Sequence, residues 1–401
     1  MAPGPAGGLY VVIPRPAERG SVVALLDSTG KPQPGWPVAL GDAFCNLPAP
    51  AVDGSIRVVC GQGYDSDSRA YAFTRDGRSI AGWPVDLPSA YGPRIVGDDL
   101  YVMEHVVDNA LQVITAVRLV AVAPDGTLRT GTRVETPDLI KHDWVPQLGP
   151  DGTGYLLTYP NTATEATEIT AFDLDGVRQG WLVKVTGRPY GLAFGPNGRI
   201  YATEGQEGRS RILVFGHDGR SLPIGSEALP VAATSVYSGA GPYGGPPPPV
   251  VADSRTTFLV SEEGGTTVYG LDVNGHVIAG WPYRDTIGLQ WSGDCYTSVG
   301  GQCWRSDPAI GPGHVLYLLH PPRTPNVGGS IVGIGPDGRV ITGWPVELTR
   351  PGAEFWPVVV GSDGTAYALA IEPESSSSSS ATILAIAPDS TVLYTTTIVE
   401  P

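Results

Sequence analysis

No apolar run in this chain reaches the roughly 18 residues a membrane-spanning helix needs, so membrane insertion is not expected. Cations are scarce: 25 Lys and Arg stand against 40 Asp and Glu, a net charge of −15. Phosphate backbones and anionic lipid surfaces would repel such a chain, which argues against nucleic-acid partners. Signatures of common catalytic sites are missing too, with no GxSxG elbow, no HExxH pair and no P-loop. The start lacks the charged-then-apolar profile of a signal peptide. Because MAPGPAGGLYVV enters a repeat almost at once, Met1 reads as an introduced start, and a signal is expected upstream in a natural precursor. Only four cysteines occur, in two close pairs, Cys45 with Cys60 and Cys295 with Cys303, and neither spacing is that of a zinc knuckle. Two local disulfides are expected, placing the protein outside the cytoplasm: extracellular, periplasmic or on the cell surface.

What the chain has in abundance is turn chemistry. Its 401 residues include 54 Gly and 39 Pro, leaving little room for long helices, while 41% hydrophobic residues suffice for a large core. One phrase recurs: an apolar strand, an Asp-Gly turn, a short run, then Gly-Trp-Pro-Val. The clearest copies are AYAFTRDGRSIAGWPVDL (70–87), VYGLDVNGHVIAGWPYRD (268–285) and IVGIGPDGRVITGWPVEL (331–348). Further copies lie at 23–40 and 169–185, with degenerate ones at 119–136, 212–229 and 383–400, making eight. Ahead of most stands a second hairpin pattern, as in VPQLGPDGTGYLL and VVVGSDGTAYALA, read as two strands on a two-residue Asp-Gly turn. Four strands per repeat predict an all-β, eight-bladed β-propeller of four-stranded antiparallel blades. The expected blades are 1–40, 41–87, 88–136, 137–185, 186–230, 231–285, 286–348 and 349–401, in a single domain. The repeated Trp36, Trp83, Trp181, Trp281 and Trp344 are read as packing between blades.

By its GWPV repeats the chain resembles the bacterial quinoprotein-like (PQQ-like) and FG-GAP-like β-propellers over essentially its whole length. That resemblance implies the fold but no activity, since such blades occur in dehydrogenases, assembly factors and binding modules. The segment 190–204 also looks like a blade of lactonase-type or NHL propellers, and no metal ligands are carried over from it. Asp173-Leu174-Asp175-Gly176 begins like a calcium loop but continues Val-Arg-Gln.

Functional residues are expected on the rim that carries the long, irregular loops, among them 104–113, 136–144, 286–306 and 371–382. Counting seven residues back from the inner turns selects Tyr91, Trp144, Tyr190 and Trp356 at the mouth of the central channel, with Trp291 and Trp304 in the longest loop. These rings either plug the channel or form a stacking platform for sugars. Counting seven forward gives Cys60, His105, Glu204 and His320 at equivalent places, with Glu104, His142 and Asp143 on the same rim. The histidines are read as hydrogen-bonded surface groups in preference to a metal site. The acidic residues crowding this rim are read as a solvated face, a minority of them being candidate calcium ligands, and no cofactor is expected.

The first functional expectation is an extracellular, non-catalytic binding or scaffold propeller with a glycan or protein ligand. The alternative is a secreted polysaccharide lyase or glycoside hydrolase using His105, His142, Asp143, Glu204, His320 and Tyr91, with Arg94, Arg188 or Arg305 neutralising a substrate carboxylate. A quinone-dependent dehydrogenase stands third, without a vicinal Cys-Cys pair to support it.

Overall fold

The computed structural model describes residues 1–15, 20–41, 44–61, 67–88, 90–108, 113–136, 142–160, 166–186, 191–195, 198–206, 209–222, 229, 250–252, 257–261, 266–286, 308–320, 329–348, 353–373 and 379–398. Among them there is no α-helix, only strands, turns and short 3-10 segments. The strands form antiparallel sheets within 2–40, 44–87, 90–135, 142–185, 192–222, 250–285, 309–347 and 354–398, here called sheets 1 to 8. Every sheet comes from one contiguous stretch of chain and is at least four-stranded, with strand order following sequence order apart from small additions in sheets 2 and 3.

Both faces of these sheets are buried, and the sequence shows why. In sheet 1, Leu9, Val11 and Ile13 point to one side and Tyr10 and Val12 to the other, as strand periodicity requires. The first set packs with Tyr367, Leu369 and Ile383 of sheet 8, the second with Ile56, Val58 and Phe73 of sheet 2. A continuous apolar run such as LYVVI is therefore the mark of a strand covered on both sides. The same arrangement repeats down the chain, each apolar cluster bridging two consecutive sheets. Sheet 8 packs on sheet 1, so the succession returns to its start, and no strand pairing joins the two among the described residues. These stacked antiparallel sheets form a β-propeller.

The Gly-Trp-Pro phrase is a latch between sheets. The indole Nε1 of Trp36 donates to the carbonyl of Arg75 in the next sheet at 2.9 Å, and Trp83 to Pro124 at 2.9 Å. Trp181, Trp281 and Trp344 reach His217, Pro336 and Pro388 in the same way, at 3.0, 3.1 and 3.1 Å. The glycine is obligatory at its place: a Cβ on Gly35 would lie 2.0 Å from the carbonyl oxygen of Asp76, and its φ of 86° is left-handed. A second latch sits at the inner end, where the hydroxyls of Tyr10, Tyr317 and Tyr367 donate to the carbonyls of Gly54, Gly364 and Gly7 in the following sheet at 2.6, 3.3 and 3.1 Å.

The inner turns of sheets 2, 4 and 8 are one residue longer than the expected two-residue type. In sheet 8, Gly361 N–H donates to Thr365 O and Gly364 N–H to Gly361 O, enclosing the three residues Ser362-Asp363-Gly364. Gly364 is left-handed at φ 87°, and Asp363 Oδ1 accepts from Thr365 N–H at 3.0 Å. This is a type I turn closed by a glycine bulge, in which the Asp-Gly pair marks the end of a three-residue loop. The inner turn of sheet 3 is one residue shorter, Gly97-Asp98 alone lying between the paired Val96 and Asp99. Of residues 104–113, expected as loop, those described are instead a ladder extension, 104–108 pairing as far as Asp108 with Val113. The β-branched Val106, Val107, Val113 and Ile114 favour that extension.

Candidate functional site

Taking the tyrosine latch as reference, Tyr10, Arg57, Tyr101, Tyr155, Tyr201, Phe258, Tyr317 and Tyr367 occupy one position in the second strands. Three residues further toward the long-loop rim come Cys60, Glu104, Glu204 and His320 in sheets 2, 3, 5 and 7. The expectation of His105 at this place is corrected by one residue, because the shorter Gly97-Asp98 turn advances the sheet 3 count. Successive residues alternate in face, so the residue that matches is Glu104.

Each of these polar groups has a structural partner. Cys60 is bridged to Cys45, the residue directly opposite it on the neighbouring strand. Glu104 is buried and receives both Nε and Nη2 of Arg118 at 2.7 Å, the two-pronged geometry that matches guanidinium to carboxylate. Glu204 is paired with Arg211 and accepts the Thr186 N–H at 3.2 Å. The imidazole Nδ1 of His320 lies 4.0 Å from Asp285 Oδ2, which also accepts the Tyr283 hydroxyl at 2.8 Å. Burial and that carboxylate push the Tyr283 phenol up from its usual range. The reading of His105 and His320 as surface histidines is also corrected: both are buried, 3% and 1% exposed. Among the described residues no group of three His, Cys, Asp or Glu side chains could hold a metal ion.

The channel-mouth aromatics are placed by backbone register alone. Tyr91 lies opposite Met103 and Trp356 opposite Leu369, each next to a one-residue bulge in its inner strand. Trp144 lies opposite Thr158 in an unbulged strand, one register position further along. His142 and Asp143 pair with Pro160 and Tyr159 beside it. Tyr190, Trp291, Trp304, Cys295, Cys303, Arg188 and Arg305 lie outside the described residues.

Sequence reasoning passed over a cleft of about 430 Å³ between the inner strands of sheets 2 and 3, lined by 46–50 and 92–95. Both strands are bulged there: register slips by one residue between the Cys45 and Ala49 pairings, as it does between Tyr91 and Arg94. Bulges bend a strand locally, and two side by side open a gap that regular strands would close. The Pro48, Pro50 and Pro93 that accompany them are the only hint in the sequence, since proline is confined to edges and bulges. Arg94 is partly desolvated, which draws its guanidinium pKa down, with Asp151 acting in the opposite sense.

No protein-family model matches the chain, and no curated protein matches it. Many solved structures follow a similar course. The β-propeller domain of the Trilobed protease from Pyrococcus furiosus, described as having an open velcro topology, is 10% identical with a TM-score of 0.46, covering 88% of this chain and 95% of that one. A eukaryotic initiation factor is 11% identical at 0.49, with 97% and 96% covered. An acylaminoacyl peptidase from Pyrococcus horikoshii is 10% identical at 0.49; 88% of this chain matches it, spanning 52% of the peptidase. At this level no residue role or activity passes from these proteins to this chain.

Proposed function

We propose that the chain is an eight-bladed, closed β-propeller that serves as a non-catalytic extracellular or periplasmic binding module. The observation that carries this reading is how the polar rim residues are used. Cys60, Glu104 and Glu204 are each committed to a disulfide or an ion pair, and His320 is buried beside Asp285. A catalytic acid or base needs a titratable group open to substrate, whereas the cleft found among the described residues is walled by proline. The eight sheets, one per blade, and the packing of sheet 8 on sheet 1 support the blade count and closure. The Cys45–Cys60 bridge supports an oxidising compartment, and a second bridge between Cys295 and Cys303 belongs to the same proposal.

The proposed ligand is a carbohydrate, met at the mouth by Tyr91, Trp144, Tyr190 and Trp356, with Trp291 and Trp304 in the adjoining loop. Aromatic faces stack on the apolar faces of sugars, and the cleft begins at Gly92, beside Tyr91. A glycan array on the whole chain, followed by calorimetry, tests this. Trp356→Ala or Tyr91→Ala is expected to weaken a captured glycan by about 1–3 kcal/mol with the melting temperature held. Affinity unchanged while stability falls would identify the rings as a channel plug and refute the ligand assignment.

A further inference from the structure

The outer strand of every sheet presents a row of backbone N–H and C=O groups that its own sheet leaves unpaired, a template for another strand. In most sheets this edge is two or three residues long, as in Val38–Leu40, Val85–Leu87, Ser221–Leu222 and Val346–Glu347. Two edges among the described residues are long. Gly176–Val185 carries the charges of Arg178 and Lys184, and Gly180 interrupts it in left-handed conformation at φ 75°. The other, Val392–Ile398, lacks those charges and that glycine: its seven residues, VLYTTTI, include no charge, no proline and no glycine, and a single bulge at Leu393, near its start, interrupts its pairing. Val392 and Leu393 stand 47% and 52% exposed, and Thr395 and Thr397 are exposed beyond them.

We propose that Val392–Ile398 is a self-association edge, through which two copies of this chain pair antiparallel about a two-fold axis and join both sheets 8 into one continuous sheet. Charge selects this edge as the one open to a second copy. At −15 per chain, two copies repel over most of their surface, and this is the one long outer edge among the described residues that brings no charge to the contact. The strand is also self-complementary. In antiparallel overlap centred on Thr395, that residue falls on the axis opposite its own mate, and Thr397 and Ile398 meet Leu393 and Val392 across the bulge. These are β-branched and aliphatic pairs of the kind that stabilise adjacent strands, and a two-fold contact uses the same patch on both partners.

The same strand holds sheet 8 to sheet 1. Thr396 Oγ1 donates to Gly30 O at 2.9 Å, and Tyr394 packs into the cluster shared by the two sheets. A partner strand laid along 392–398 thus braces the seam of the ring, and the melting temperature should rise with protein concentration.

Sedimentation velocity over a concentration range from about 1 to about 500 μM tests the proposal, since a contact of this size lies at the weak end of specific interfaces. The wild-type chain should shift from monomer to dimer. Thr395→Lys and Thr395→Glu, each bringing like charges together on the axis, should remain monomeric, with unchanged circular dichroism and an unchanged low-concentration melting temperature. An equimolar mixture of the two should form a heterodimer. A wild-type chain that stays monomeric throughout would overturn the proposal and leave the edge to a strand of some other protein. A dimer that survives Thr395→Lys, or a mixture of monomeric variants that fails to associate, would overturn it as well.

Discussion

Replacing Gly35 by alanine sets a Cβ 2.0 Å from the Asp76 carbonyl oxygen, in a conformation that L side chains rarely adopt. Gly41, where an added methyl group would meet nothing within 4 Å, is the control. Gly35→Ala should cost about 2–4 kcal/mol in a denaturant titration, and Gly41→Ala should stay within about 0.5 kcal/mol of wild type. Trp344→Phe keeps most of the apolar packing but leaves the Pro388 carbonyl without its 3.1 Å donor, a loss of about 1–3 kcal/mol by the same measurement. The tyrosine latch responds to base. Burial pushes the phenol of Tyr10 in that latch, and of Tyr155 at the equivalent strand position, up to about 12, so the folded state favours their neutral form. Their contribution is complete below the ordinary tyrosine value near 10 and is lost as pH rises from there toward 12. Melting temperature against pH should fall over that window, and Tyr10→Phe should reduce the fall.

Among the elements, the turn aspartates set the acid limit. Asp27, Asp53, Asp76, Asp125 and Asp389 accept hydrogen bonds from hydroxyls or backbone N–H groups two residues from them, which holds their carboxyls below the usual range. A depressed folded-state pKa stabilises above the unfolded value and is lost as pH falls through the folded one, so stability should decline below about pH 4. Asp53→Asn should flatten that decline in melting temperature against pH. These hairpins were also the most legible part of the sequence: short apolar runs on either side of Asp-Gly predict antiparallel strands, and the strands are there. Loop length was not legible, because Asp-Gly identifies the left-handed glycine without saying which flanking residues close the turn. That one-residue ambiguity exchanged His105 for Glu104. The bulges opening the cleft were hidden for a related reason, since an extra residue in a strand alters register without altering composition. The ion pairs of Glu104 with Arg118 and Glu204 with Arg211 join opposed residues on neighbouring strands, visible only once register is known.

At the scale of the whole molecule, sheets pack in succession, and the first and last meet without exchanging a strand among the described residues. Side chains hold that seam: the shared cluster of Leu9, Val11, Ile13, Leu369 and Ile383, the Tyr367 bond to Gly7 and the Thr396 bond to Gly30. A chain closed by strand exchange would keep its ends tied by a backbone ladder, whereas this seam should open first under denaturant, with hydrogen exchange in 9–13 and 381–386 outpacing that in the second and third strands of sheet 2. A crystal structure of the whole chain would decide whether the proposed ring is closed and has eight blades. The expected result is eight four-stranded blades, with Tyr367 and Thr396 of the last in contact with Gly7 and Gly30 of the first; seven blades, or a gap between sheets 8 and 1, would contradict it.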